Sequence, residues 1–159
     1  MFVRIFTDGS ARGNPNGPGG YGCILQYMST NRVLYETTCS AGYKKTTNNR
    51  MELLGVITGI GMLKRSCDIE IVSDSKYVTD AFNQRWIENW LRNDWKKSSG
   101  EPVKNVDMWK VLLRLVNMHH VRFRWVKGHA SNPENNRCDA LATTAADGTD
   151  LLEDTLLEW

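Results

Sequence analysis

At 159 residues, with 41% hydrophobic and 24% charged side chains, the chain has the size and make-up of one soluble domain able to bury its own core. Its apolar runs are broken by charges well short of a membrane-spanning length, and Met1-Phe2-Val3-Arg4 reads as a strand rather than a signal peptide. No membrane association and a cytoplasmic location are therefore expected. The net charge of +2 excludes little, but its distribution is informative. From Arg85 to Lys127 there are ten Lys/Arg against four Asp/Glu, a balance of +6, while the rest carries ten against fourteen, a balance of −4. A cationic region on a mildly acidic body suits a polyanionic partner.

Three strand-like runs come first: Phe2 to Thr7, Gly20 to Met28 and Val33 to Gly42. The turn-forming clusters Gly13-Asn14-Pro15-Asn16-Gly17-Pro18-Gly19-Gly20 and Ser29-Thr30-Asn31 separate them, which favours an antiparallel meander. A broadly apolar helix is expected from about Asn49 to Lys64, with Asn48 or Asn49 as its N-cap. The strand Ile69 to Ser73 follows, and a helix begins near Asp74 or Ser75. The stretch from Gln84 to Lys110 mixes four tryptophans with lysines and arginines and contains a loop at Ser98-Ser99-Gly100-Glu101-Pro102. A helix from about Val106 to Asn117, a strand from Val121 to Val126 and a helix from Pro133 to Ala146 complete the order, with Pro133 suited to a first turn. The acidic, amphipathic tail from Thr149 to Trp159 either docks or frays. Strands followed by alternating helices and strands point to an α/β domain, a mixed sheet with helices on its faces. The four cysteines, Cys23, Cys39, Cys67 and Cys138, form no Cys-x-x-Cys pair and no zinc-ligand spacing with histidine. The first three are expected to be buried, without a disulfide framework.

Four acids stand out by position. Asp8 ends the first strand and enters the glycine-rich turn. Glu52 lies in the first helix's opening turn, Asp74 follows the fourth strand, and Asp139 sits on the last helix. Each has an ordinary explanation: a turn residue, a partner for the helix dipole, an N-cap, a solvated helix surface. Jointly they are more specific, because strand C-termini and adjoining helix starts are where α/β sheets build their sites. Clustered carboxylates raise one another's pKa unless cations neutralise them. Magnesium or manganese suits such an oxygen-lined pocket, and two ions about 3.5–4 Å apart can activate water and hold a leaving oxygen.

These residues occur within Thr7-Asp8-Gly9-Ser10 with Gly13-Asn14-Pro15, Thr47-Asn48-Asn49-Arg50-Met51-Glu52-Leu53, Ser73-Asp74-Ser75-x-Tyr77-Val78, Trp125-Val126-x-Gly128-His129 and Asn135-x-Arg137-Cys138-Asp139. In that order and spacing, from about Phe2 to Ala146, the chain resembles type 1 ribonuclease H. The segment from Trp86 to Trp109 is similar to the basic protrusion, or handle, of the bacterial enzymes. The resemblance implies a ribonuclease H-like fold: a mixed five-stranded sheet, three antiparallel strands plus two parallel, flanked by helices. Residues 1–148 would form the catalytic domain, with the protrusion at about 84–110 and a short tail at 149–159.

The resemblance further implies that Asp8, Glu52, Asp74 and Asp139 bind two Mg2+ ions, with Mn2+ as the alternative, when substrate is present. It implies hydrolysis of the RNA strand of RNA–DNA hybrids, with 5′-phosphate and 3′-hydroxyl products. With no obvious association surface in the sequence, a monomer is expected. His129 matches the family's mobile histidine and is given proton transfer or product release. Telling a hybrid from duplex DNA requires sensing 2′-hydroxyls. Family contacts of that type map onto Asn14 and Asn48, with Asn49 and Lys76 as further contacts and Thr47 in a pocket for a DNA-strand phosphate.

In the handle, Trp86, Trp90 and Trp95 stand among Arg85, Arg92, Lys96 and Lys97. Trp86 and Trp90 share a helix face, which favours local packing over base stacking. The cations, together with Lys127, are expected to touch phosphates without reading sequence. Departures from the family pattern at Ala11, Asn16 and Asn132 leave the four acids intact. The rivals are another nuclease or strand-transferase on the same fold, which fold and acids alone would not exclude, and a non-catalytic hybrid-binding module.

Overall fold

The alternating N-terminal run pairs in both directions, and this places it at the centre of the sheet. In the computed structural model, which describes residues 1–128 and 130–155, β1 (Phe2–Ala11) runs antiparallel to β2 (Gly17–Ser29), and β2 runs antiparallel to β3 (Arg32–Thr46). On its other side β1 pairs in parallel with β4 (Asp68–Ser73), which pairs in parallel with β5 (His120–Trp125). The order β3-β2-β1-β4-β5 is the expected mixed sheet, three antiparallel strands extended by two parallel ones.

The connections supply the helices. These are α1 (Asn48–Gly61), α2 (Lys76–Asn83), α3 (Trp86–Arg92), α4 (Val106–Val116) and α5 (Pro133–Ala146). Strand alternation divides the core in two. Val3, Ile5, Cys23, Leu25, Ile69 and Ile71 face the side covered by α1 and α4 and are all but fully buried. Phe6, Ile24 and Val72 point to the opposite side, against Cys138 of α5. Burying a side chain of this kind is worth about 1.5–3 kcal/mol relative to leaving it exposed.

The helix ends show where local chemistry differs from the expectation. The N-cap of α1 is Thr47, not Asn48 or Asn49: its hydroxyl accepts from Arg50 N at 3.2 Å, and both asparagines lie inside the helix. The helix also ends at Gly61, short of Lys64, because Met62 and Leu63 close it with tighter bonds to Gly59 and Ile60. Likewise Ser75, not Asp74, caps α2, accepting from Val78 N at 3.3 Å, which leaves the Asp74 carboxylate for other work. Pro133 does occupy the first turn of α5, behind an Asn132 cap. Cys23 and Cys67 are buried as expected, Cys39 is half-buried, and all four thiols are free. The described part of the tail, up to residue 155, docks: Leu152 bonds to both Gly42 and Lys44, and Asp154 accepts from Arg50.

Candidate active site

Sheet register brings the first and third acids together. The parallel pairing of β1 with β4 matches Thr7 with Ser73, so the next residues, Asp8 and Asp74, leave the sheet side by side at its C-terminal edge. Glu52 arrives from the second turn of α1, not its opening turn as expected, because the helix already starts at Asn48 behind the Thr47 cap. Its approach depends on Gly9, since a Cβ there would lie 2.5 Å from the Glu52 main-chain nitrogen. Asp8, Glu52 and Asp74 each offer an oxygen within 4.8 Å of the others. A cavity of about 340 Å³ is lined by these three together with Asp139, Asn48, Ser10 and Ser75.

The electrostatics of this cluster are unfavourable without a cation. Asp8 is only 4% exposed and Glu52 3% exposed. Burial, then the Asp74 charge, pushes the Asp8 carboxyl up to about 8, although a hydrogen bond shared with Glu52 opposes this. Burial, followed by Asp8 and Asp74, raises Glu52 well above the ordinary carboxylic acid range. Glu52 Oε2 is buried with no hydrogen-bond partner among the described residues. A buried, unpartnered carboxylate oxygen is costly, and a hard cation at this point would satisfy it and lower both carboxyl pKa values. The donors are all oxygen, as magnesium and manganese prefer.

The other expected residues fall into three groups. Around the cavity, Asn14 Oδ1 accepts from Asn48 N at 3.3 Å, which joins the glycine-rich turn to the start of α1. Thr47 is half-buried as the cap, and Asn49 is exposed and does not line the cavity. Asp139 lines the cavity without entering the tight trio. Lys76 and Lys127 are exposed and do not line the cavity, and His129 lies outside the described residues. Its neighbour Gly128 is pressed against the site, since a Cβ there would lie 2.6 Å from Asp74 Oδ2.

The handle forms a separate surface. Trp86 packs on Trp90 at 6.3 Å, Trp90 on Trp95 at 6.3 Å, and Trp90 meets Trp109 edge-on at 5.3 Å. The expectation of local packing describes these rings, although Trp86 and Trp90 also line a cavity of about 570 Å³ with Tyr77, Lys96 and Lys97. Arg85 is exposed at the start of α3 in a left-handed conformation. Tyr77 anchors the handle base by accepting from Asn105 and Trp109, each at 3.1 Å.

Two residues near the site, Arg50 and Trp125, stand in the family-like motifs, but their partners carry no signal in the sequence. Arg50, in the same turn as Glu52, donates to Asn105, Asp107 and Asp154, the last two as bidentate pairs. Those partners are distant in sequence, so no local pattern marks them. Trp125 donates its indole N–H to the Asp74 carbonyl at 2.9 Å, which only the parallel register of β4 with β5 reveals.

An acidic trio, with Asp8 and Glu52 buried and Asp74 partly so, at the C-terminal edge of a mixed sheet fits a metal-dependent enzyme. Residues 2–147 match the RNase H family. The chain is 54% identical to a ribonuclease H of Lachnoclostridium phytofermentans over 99% of its own length and 100% of that protein's. It is 50% identical to an Escherichia coli ribonuclease H, covering 96% of this chain and 94% of the other. Among solved structures it resembles LC9-RNase H1, a type 1 enzyme with the type 2 active-site motif, with a TM-score of 0.79 and 32% identity over 91% of this chain and 72% of that one. The chain belongs to the RNase H family, and is a metal-dependent endoribonuclease of the bacterial type 1 kind.

Proposed function

We propose that this enzyme cuts the RNA strand of RNA–DNA hybrids internally, with two Mg2+ ions, or Mn2+ in their place, held by Asp8, Glu52, Asp74 and Asp139. The meeting of three carboxylates in one cavity that Asn48 also lines carries this reading, because it sets a candidate ribose contact beside the acids. When bound, the metals supply charge neutralisation and Lewis-acid activation of water and leaving group. Asp8 and Glu52 are buried, and with a cation bound they would present ionised oxygens from positions that the fold already fixes. Asn14 and Asn48, linked by their hydrogen bond, read the 2′-hydroxyl, with Asn49 at the edge and Thr47 beside a DNA-strand phosphate.

In the reaction, a water oxygen bonds to phosphorus as the bond to the 3′ oxygen breaks. The water's proton is lost, the departing oxygen gains one, and a 5′-phosphate and a 3′-hydroxyl result. His129 takes the proton-transfer or product-release role by its resemblance to the family's histidine. Arg85, Trp86, Lys96, Lys97, Lys76 and Lys127 hold the substrate's backbone and sugars. In this reading residues 1–148 form the catalytic unit, 84–110 its protrusion and 149–159 a tail, and the enzyme works as a cytoplasmic monomer.

The test is an end-labelled hybrid, a double-stranded RNA and a double-stranded DNA, each incubated with the protein and magnesium, with Asp8→Asn as control. Cuts confined to the RNA strand of the hybrid, and lost in Asp8→Asn, are expected. Equal cutting of duplex DNA would point to another nuclease on this fold, and binding without cutting to a non-catalytic module.

A further inference from the structure

Trp125 has no role in the cleavage just described, yet it touches the acidic turn twice. It closes β5 opposite Ser73 and remains 41% exposed. Its indole N–H donates to the main-chain oxygen of Asp74 at 2.9 Å. Across its ring face lies Lys76 Nζ, 4.7 Å from the centroid.

These contacts complete a clamp made by one short stretch of chain. The Val126 main-chain N–H donates to Ser73 O at 2.9 Å, Trp125 holds the next carbonyl, and Gly128 backs the Asp74 carboxylate. Asp74 lies one residue beyond the last paired residue of β4, where the ladder no longer fixes the main chain. Unlike Asp8 and Glu52 it is only partly buried, so packing constrains it less. A tryptophan this exposed gains little from burial, whereas a single hydrogen bond in this place sets the direction of a metal-ligating side chain. The same ring also restrains a flexible lysine, which otherwise loses considerable side-chain freedom on meeting a phosphate.

We propose that Trp125 is a positioning residue with two outputs. Its indole N–H fixes the Asp74 main chain for metal binding, and its ring face holds the Lys76 ammonium ready for a substrate phosphate. The inference rests on the reading of the acidic pocket as the cleavage site. Three variants separate the outputs. Trp125→Phe keeps an aromatic face and removes the donor, Lys76→Met removes the charge, and Trp125→Leu removes both features of the ring.

Magnesium binding to the free protein is measured by calorimetry, and binding of a hybrid in EDTA by fluorescence anisotropy. Trp125→Phe should weaken magnesium binding roughly two- to tenfold, the range for removal of one hydrogen bond, with hybrid affinity within about twofold of wild type. Lys76→Met should weaken hybrid binding about two- to fivefold and spare magnesium affinity. Trp125→Leu should show both losses, and adding Lys76→Met to it should cost hybrid binding less than the same change costs the wild type. Raising magnesium should restore kcat in Trp125→Phe. Wild-type magnesium affinity in Trp125→Phe overturns the first output, and additive losses in the double variant overturn the second. Both readouts are binding measurements, so they stand apart from the cleavage assay: a wild-type protein that leaves hybrids uncut defeats the proposed function instead. Should Trp125→Leu fail to fold, Trp125→Phe and Lys76→Met still decide each output by themselves.

Discussion

The acidic cavity and the handle are built in opposite ways. The acids leave regular elements at fixed positions: Asp8 and Asp74 from neighbouring parallel strands, and Glu52 from the second turn of a helix. Asp8 and Glu52 are buried, and their charges are opposed by the fold itself. The handle is irregular, with the non-glycine residues Arg85, Asp94, Trp95 and Asn105 all at positive φ between 52° and 61°. Its tryptophans pack on one another, while Lys96 and Lys97 stay in solvent. In the proposed reading, chemistry falls to a part of the molecule where an ångström matters, and attraction to a part where charge matters more than exact placement. Changes in the cavity should act on kcat, and changes in the handle on KM and its salt dependence.

The severest test of that division is Glu52→Gln, which preserves shape and removes one charge. It should lower kcat by roughly a thousandfold or more while hybrid affinity stays within about threefold. A loss confined to KM would break the comparison. Gly128→Ala comes next. The added methyl must displace the Asp74 carboxylate, so kcat should fall about ten- to a hundredfold. Urea unfolding should show a stability change of no more than about 1 kcal/mol, because the site lies at a rim rather than in the core.

The same contrast explains how much was legible in the sequence. The strands, the helix order and the four acids could be read because apolar alternation, helical spacing and turn residues are local signals. Even so, the asparagines at 48 and 49 misled the cap assignment: Asn is a good cap, but the preceding Thr47 has the extended backbone and accepts the bond. Long-range partnerships left no such trace. Nothing near Arg50 announces Asp107 or Asp154, and nothing near Trp125 announces the Asp74 carbonyl. Such contacts depend on sheet register and chain return, which periodicity does not encode. Charge counting located the cationic region, but it did not reveal that the tryptophans enclose a cavity beside the lysines.

A moderate effect should come from the handle. Replacing Lys96 and Lys97 together by alanine is expected to raise the KM for a hybrid about tenfold near physiological salt and leave kcat unchanged. The slope of log affinity against log salt should shrink by about one for each phosphate that is no longer neutralised. If the slope stays at its wild-type value, these lysines do not neutralise phosphates, and the handle's cavity rather than its charge would carry its contribution.

The smallest effect concerns stability, and it probes whether the fold really opposes its own acids. Asp8 has a folded pKa of about 8 against an ordinary 3.8, raised by burial and then by Asp74. A group raised in this way stabilises the metal-free protein fully below its unfolded pKa and loses that contribution as pH rises through its folded pKa. Metal-free wild type should therefore become less stable between about pH 4 and about pH 8, and Asp8→Asn should show a smaller decline, the remainder coming from the buried Glu52. At about pH 8 the variant should melt higher by about 2–8 °C, the shift that ~1–2 kcal/mol gives in a domain of this size. Magnesium should narrow the gap by stabilising the wild type more than the variant, since it binds the ionised cluster that the substitution weakens. Equal melting temperatures across this pH range, with and without magnesium, would mean that the cavity's carboxylates are not in electrostatic conflict and that metal binding does not draw on relief of it.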